Sequence, residues 1–334
     1  MNLSPDAGHH MRAEIAEAPG VFARSVLQAV ALPDLHGLRA FYTVARGSSD
    51  AAANILSYEF MRETGLPMTS LPPSVFSVGH GVTLKDSAVL VVSQSGASED
   101  LVRSAKGARS AGAKVLAVVN APDSAVQAAS DAVVSIGAGP ELAVPATKSV
   151  IGAVAAGMAL LGRLVPDYAP RAAASAKTVT AMSGRALPQT RALLSALLRA
   201  SHVYVIGRDT GYGAAQELAL KIKECCALHA EAYSSSEVLH GPLQLVTNPL
   251  LILILDTEQP DIQDSLNTAE NRFRQAGGTV FRLRPSDVGA ANLTPAAAAA
   301  ALLYLTYPLA LQTALSLGHD PDRPETLSKV TQTT

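Results

Sequence analysis

Residues 40–61 read AFYTVARGSSDAAANILSYEFM. An apolar run stops at a turn of small residues, Gly47-Ser48-Ser49, and a helical pattern follows, as when a buried strand opens into a helix. Residues 202–224, HVYVIGRDTGYGAAQELALKIKE, repeat that form. Sliding the chain by 162 positions lays Arg46 on Arg208 and residues 88–92 (AVLVV) on 250–254 (LLILI). After a three-residue adjustment, SAGAKVLAV (110–118) falls on QAGGTVFRL (275–283), and Pro145 and Pro295 each introduce a long alanine-rich helix. Four matches in one order read as an internal duplication. Strands alternating with helices predict parallel sheets covered on both faces, with right-handed crossovers. The two units are expected at 31–165 and 188–315, with a helical segment at 1–30 packed across them, a linker helix at 166–187 and a tail at 316–334.

The bulk properties narrow the function classes. A chain of 334 residues that is 48% hydrophobic buries a large core, and its length suggests about two domains. A formal net charge of −2 gives no electrostatic case for nucleic acid or an acidic membrane surface. The longest apolar stretch, 296–317, is mostly alanine and is interrupted by Thr306, Pro308, Gln312, Thr313 and Ser316, so it reads as a buried helix rather than a membrane span. The N-terminal residues lack the apolar run of a secretory signal. Cys225 and Cys226, the only cysteines, are adjacent and give neither a disulfide framework nor a metal motif, so a cytoplasmic protein is expected.

In open α/β sheets, ligands sit beyond the carboxyl ends of the strands. Residues 89–105, VLVVSQSGASEDLVRSA, place Ser93, Gln94, Ser95 and Ser98 there, beside Gly47, Ser48 and Ser49 from the first strand–helix turn. Hydroxyls, backbone N–H groups and a helix N-terminus accommodate a dianion, and the 93–98 turn does so without a cation of its own. Neither a GxxxxGK[ST] nor a GxGxxG pattern follows a strand, which argues against a nucleotide. A bland alternative for Ser98 is an ordinary helix N-cap. The second copy has Asp256-Thr257-Glu258-Gln259 in the corresponding place, and an acidic loop repels phosphate.

The second copy has a different speciality. Glu217, Lys221 and Glu224 share one helical face, either as a surface ion-pair row or as a face turned into a pocket. The segment 229–242, expected to be irregular, then carries His229, Glu231, Ser234, Ser235, Ser236, Glu237 and His240. Its spacing follows no HExxH-like pattern, so no metal is expected.

These stretches together resemble the double-SIS (sugar isomerase) family. SQSGASEDL is similar to the family's phosphate loop, LKIKECCALHAEAYSSSEVLHGP to its catalytic helix and loop, ELAVPATKS (141–149) to a further ligand-side segment, and HDPDRPETLSKVT to its C-terminal signature. The resemblance runs from about residue 10 to the end. It implies two tandem doubly wound α/β/α (flavodoxin-like) units. It implies that Ser48, Ser49, Ser93, Gln94, Ser95 and Ser98 hold a sugar phosphate, that Glu224 moves a proton between C1 and C2, and that His240 assists ring opening, in a homodimer where it reaches a neighbouring subunit's site. Lys329 would close over the open-chain sugar, and Lys221 and Val144 would also line it. A carboxylate and a histidine suffice for aldose–ketose interconversion, so no cofactor is expected.

Within the family, the chain is similar to the isomerase half of glucosamine-6-phosphate synthase and to stand-alone glucosamine-6-phosphate deaminases. The short stretch ahead of the first unit leaves no room for a glutaminase domain, and glutamine hydrolysis is not expected. PATKS, GRDTGY and the SKVT tail depart from the synthase pattern. The expected reaction is conversion of glucosamine 6-phosphate to fructose 6-phosphate and ammonia. The alternatives are another aminated hexose phosphate, such as galactosamine 6-phosphate or fructosamine 6-phosphate, or a non-catalytic sugar-phosphate sensor.

Overall fold

The computed structural model describes residues 3–329. The last five positions of the expected 316–334 tail, and the first two of the expected 1–30 segment, lie outside the described residues. The first sheet holds β1 (Ala40–Val44), β2 (Met68–Ser70), β3 (Ser87–Ser93), β4 (Lys114–Val119) and β5 (Ala132–Ser135), in the order β2-β1-β3-β4-β5. The second holds β6 (His202–Gly207), β7 (His229–Ser234), β8 (Leu251–Leu255) and β9 (Thr279–Leu283), in the order β7-β6-β8-β9. Every pairing is parallel. Both sheets are doubly wound, with the direction of winding reversing between their first and third strands. At each reversal, helices leave toward opposite faces and a crevice opens at the strands' carboxyl ends.

The strand sequences follow from this burial. β3 (SAVLVVS) and β8 (LILIL) are buried at every position, so both faces of each are apolar rather than one in two. The expectation of an irregular 229–242 needs correction. Residues 229–234 form β7, paired with β6 from His202↔His229 to Gly207↔Ser234. As an edge strand β7 needs only one partner, and its polar side chains are mostly half-buried and bonded within the chain, as Ser234 is to Arg208 and Glu231 to Tyr233. Irregular backbone follows it, as 3-10 turns at Glu237–Leu239 and Pro242–Thr247.

Between the sheets, the helix after β1 (Gly47–Thr64) packs on the helix after β6 (Thr210–Cys226). Their closeness depends on Gly213: a Cβ there would lie 2.7 Å from the Ile55 amide nitrogen and 2.9 Å from the Ala51 carbonyl oxygen. The helix Pro295–Ser316 packs against Thr210–Cys226 and is started by Thr294, which accepts a bond from the Ala297 amide, with Pro295 at its first position. It is long and apolar enough to cross a membrane, but 83% of its apolar window is buried in the fold. The helix His9–Val26 crosses both halves, packing on Lys148–Leu164, Ala169–Ala181 and Pro295–Ser316. One continuous core therefore runs through both units, from Met11 and Leu56 to Ile222 and Leu311. Asp320 and Asp322 tie the C-terminal segment to the start of the helix His9–Val26. Asp320 accepts from the Gly8 amide at 3.0 Å, and Asp322 from those of His10 and Met11 at 2.8 and 2.9 Å. Carboxylates at a helix N-terminus satisfy orphan donors and oppose the positive end of the dipole.

Candidate active site

A cavity of about 370 Å³ opens at the first sheet's reversal point. Its floor is built from two strand–helix turns. After β1, Arg46 is extended and Gly47 has φ +52°, and the first turn of the helix Gly47–Thr64 presents Ser48 and Ser49. After β3, the Ser93 hydroxyl accepts from the Gly96 amide at 2.9 Å and the Ser95 hydroxyl from the Ala97 amide at 3.3 Å, which curls the loop back on itself. Gly96 has φ +61°, and a Cβ there would sit 2.3 Å from Ser124 Oγ, so only glycine fits. Ser98 occupies the N-cap position of the helix Glu99–Ser110, yet its side chain makes no capping bond. Its position is that of a cap, while its hydroxyl stays on the cavity wall. Two helix N-termini thus converge on a hydroxyl-lined hollow, an arrangement that favours anions.

The segment 141–149 supplies a third wall. Glu141 is buried and gathers the chain around itself, accepting from the Thr147 and Ser149 amides at 3.0 Å each and from the Ser149 hydroxyl at 2.6 Å. This fold turns Val144 and Ala146 to the cavity. Glu14 accepts from the Leu142 amide and, at 3.3 Å, from that of Ala143, and its burial raises its pKa above the ordinary range. Lys329 arrives from the C-terminal segment and donates to the Ala143 carbonyl at 2.6 Å, with Glu141 at 3.4 Å. Leu327, Ser328 and Lys329 complete the rim.

From the second unit, the helix Thr210–Cys226 brings a buried ionic row. Glu217 and Lys221 have no exposed side-chain surface, with Lys221 Nζ 3.5 Å from Glu217 and hydrogen-bonded to Glu224. The face is therefore not a surface ion-pair row, and Glu217 and Lys221 lie buried in the core instead of lining the pocket. Glu224 alone reaches the cavity, with its side chain 26% exposed. Burial pushes the Glu217 carboxyl up to about 7, although Lys221 opposes this, and Tyr307 OH donates to it at 3.2 Å. Burial by itself would lower the pKa of Lys221, but the two carboxylates outweigh it and hold the ammonium above its ordinary value. The neighbouring thiols are also buried, which raises both and pushes Cys226 up to about 12; neither is a ready nucleophile.

Gly47, Ser48, Ser49, Ser93, Gln94, Ser95, Ser98, Val144, Glu224 and Lys329 therefore share one cavity wall. Lys221 stands one layer behind it. His240 does not join them: it follows the turn Glu237–Leu239, is exposed, and lies outside the cavity of its own chain. The 93–98 turn carries no cation of its own, but Arg46, from the neighbouring turn, lines the same cavity and pairs with buried Asp100. An arginine directly ahead of Gly47-Ser48-Ser49 was the available sequence signal. Glu141, within ELAVPATKS, is a further residue that shapes the site, through bonds that local sequence pattern does not reveal. Among the described residues, no group of three or more His, Cys, Asp or Glu is placed to hold a metal ion.

Compared with known proteins, the chain matches the SIS domain family over residues 35–163 and 196–282. Glutamine–fructose-6-phosphate aminotransferase (isomerizing) of Symbiobacterium thermophilum is 31% identical over 322 residues, covering 89% of this chain and 52% of that protein. The chain spans about half the length of the curated relatives it matches. A Silicibacter pomeroyi DSS-3 protein assigned as a phosphosugar isomerase has a crystal structure with TM-score 0.82 and 32% identity, covering 94% of this chain and 99% of its own. Glucosamine-6-phosphate deaminase of Thermotoga maritima shares the fold at 18% identity, with TM-score 0.76 over 97% of this chain and 100% of its own.

Proposed function

The chain belongs to the SIS domain family, and from that premise we propose that it is a phosphosugar isomerase acting on an aminated hexose phosphate, converting glucosamine 6-phosphate and water to fructose 6-phosphate and ammonia. The observation that carries this reading is the meeting of the hydroxyl cradle at 93–98 with the Glu224 carboxylate in one cavity. The phosphoryl group rests against the cradle, a remote anchor whose binding energy orients the reacting carbons. Once the ring has opened, Glu224 takes the proton from C2 and returns it to C1, moving the double bond so that the aldehyde becomes an alcohol and the C2 amine an imine. Water then adds to the imine carbon, and ammonia leaves with the ketone formed at C2. Lys221, buried and bonded to Glu224, fixes the base in one orientation. Lys329 sits over the mouth beside Val144 and contacts the open chain.

Ring opening needs a proton donor and acceptor near O5 and O1. His240 of the partner subunit fills that role in a homodimer; its exposure and its distance from its own cavity support the reading. The isomerase class is supported by the relative at 32% identity, and the amino-sugar substrate by the named aminotransferase relative.

The test is to incubate the purified protein with glucosamine 6-phosphate and measure ammonia and fructose 6-phosphate together. Stoichiometric release of both is expected. Turnover only with galactosamine 6-phosphate or fructosamine 6-phosphate would move the substrate assignment. Tight binding with no turnover of any of the three would replace the enzyme by a sensor.

A further inference from the structure

The cavity holds an arginine whose placement a simple structural brace does not explain. Arg46 stands between β1 and the helix Gly47–Thr64, and its guanidinium crosses to the helix Glu99–Ser110. There Nε lies 2.8 Å and Nη2 2.7 Å from the same carboxylate oxygen of Asp100. The Asp100 side chain is wholly buried, and its other oxygen accepts from the Leu101 amide at 2.9 Å. The Arg46 side chain is 50% exposed on the cavity wall. A guanidinium carries five N–H donors in a rigid fork. Nε and one edge of Nη2 go to Asp100, and among the described residues nothing accepts from the remainder. A purely structural pair would enclose those donors. Arg208, the repeat equivalent of Arg46, is used differently: its Nη1 donates to the Ser234 and Ser236 hydroxyls, at 3.0 and 2.5 Å.

We propose that Arg46 is a phosphate-recognition residue of this cavity, aimed by Asp100, and that this pair sets the spacing of the two turns that form the cradle. The proposal rests on the phosphosugar reading above and deepens it. Asp100 is a positioning residue: it holds one edge of the fork so that the other edge is presented at fixed geometry, and little rotamer freedom remains to be lost when a phosphoryl group arrives. The cradle's hydroxyls and amides supply directional bonds, and Arg46 supplies charge-assisted ones.

The test uses the full chain and inorganic phosphate as probe, with binding measured by calorimetry, alongside kcat and KM for glucosamine 6-phosphate. Arg46→Gln leaves Asp100 buried without its partner and risks the fold. The paired variant Arg46→Gln with Asp100→Asn removes both charges and keeps the question answerable if the single variant fails to fold. Either folded variant is expected to bind phosphate about 10- to 100-fold more weakly, as loss of charge-assisted hydrogen bonds implies. KM should rise by a similar factor, with kcat falling less than about threefold. Millimolar guanidinium should restore part of the affinity to the paired variant. Arg46→Lys should recover little, since an ammonium cannot serve Asp100 and a phosphate edge at once. Phosphate affinity within twofold of wild type in the paired variant overturns the proposal. If the wild-type protein turns over no aminated hexose phosphate but its phosphate affinity depends on Arg46, the function reading fails and this inference stands.

Discussion

The two crevices of the duplicated fold sit at equivalent places in their sheets, yet their polar atoms are used in opposite ways. After β3, the turn 93–98 keeps its hydroxyls and one face of Arg46 toward an open cavity. After β8, Asp256 occupies the turn with its side chain fully buried. Arg282 and Arg284 each approach Oδ2, at 2.9 and 3.0 Å, while the Glu258 amide and Gln263 reach Oδ1 at 2.8 and 3.0 Å. Burial alone would raise this carboxyl, but those donors outweigh it and hold it below the usual carboxylate range. A smaller hollow of about 260 Å³ beside it is lined by Thr257, Glu258 and Gln259, of which the Glu258 carboxylate repels phosphate. One backbone plan therefore gives an open, hydroxyl-lined turn in one unit and, in the other, a structural knot whose polar groups are spent on one another. The second unit contributes through its helix instead, sending Glu224 across to the first unit's cavity.

Several changes would break or sharpen this contrast. The largest effect is expected from Glu224→Gln, which leaves the first crevice intact and removes the second unit's contribution. Turnover should fall about 1000-fold with substrate affinity changed less than threefold, read by steady-state kinetics and calorimetry; unchanged turnover would remove Glu224 from its role. Asp256→Ala unties the knot: it removes the carboxylate that Arg282 and Arg284 share and leaves buried Arg282 with Glu270, Asn267 and Gln263 alone. It should cost about 3 kcal/mol in a denaturant titration, whereas a change under about 0.5 kcal/mol would mean that the two turns differ less than their bonding suggests. Ser93→Ala combined with Ser95→Ala should weaken inorganic phosphate binding about tenfold with little loss of stability. A large loss of stability with affinity retained would make these hydroxyls structural, like those around Asp256.

The smallest expected effect concerns pH. Each unit buries a glutamate on the helix following its first strand: Glu59, which accepts from Tyr168 OH at 2.7 Å and the Ala296 amide at 3.3 Å, and Glu217. Burial pushes both carboxyls up to about 7. The folded state then binds more protons than the unfolded chain between about pH 4.5 and 7, so stability falls as pH rises through that window and levels off above it. Glu59→Gln removes one of the two groups and should make the decline of Tm across this window shallower. An unchanged slope would assign the decline to Glu217 and its neighbours alone.

Much of this was legible in the chain because it depends on local pattern. Apolar runs ending in small residues mark strand-to-helix turns, and their recurrence 162 positions apart marks the repeat. Helical spacing put Glu217, Lys221 and Glu224 on one face, but it left open whether that face met water or a neighbouring helix. The close approach at Gly213 is a contact between units, and no local pattern encodes it. The polar residues of 229–234 disguise a strand, because an edge strand, buried on few sides, carries little of the apolar signal that marks a central one.

What the amino-acid order determined by itself was therefore the kind and sequence of elements and the chemistry of each turn, since backbone preference and hydrophobic period act over a few residues. Tertiary structure alone decided which of those turns face each other. Arg46 meets Asp100 only because β1 and β3 lie side by side in parallel register. Lys221 is buried only because the helices Gly47–Thr64 and Pro295–Ser316 both pack against its own. Glu224 joins the cradle only because two units from one duplication share a single core. Charge pairing and desolvation depend on distances in space, and these are set by packing between segments far apart in the chain.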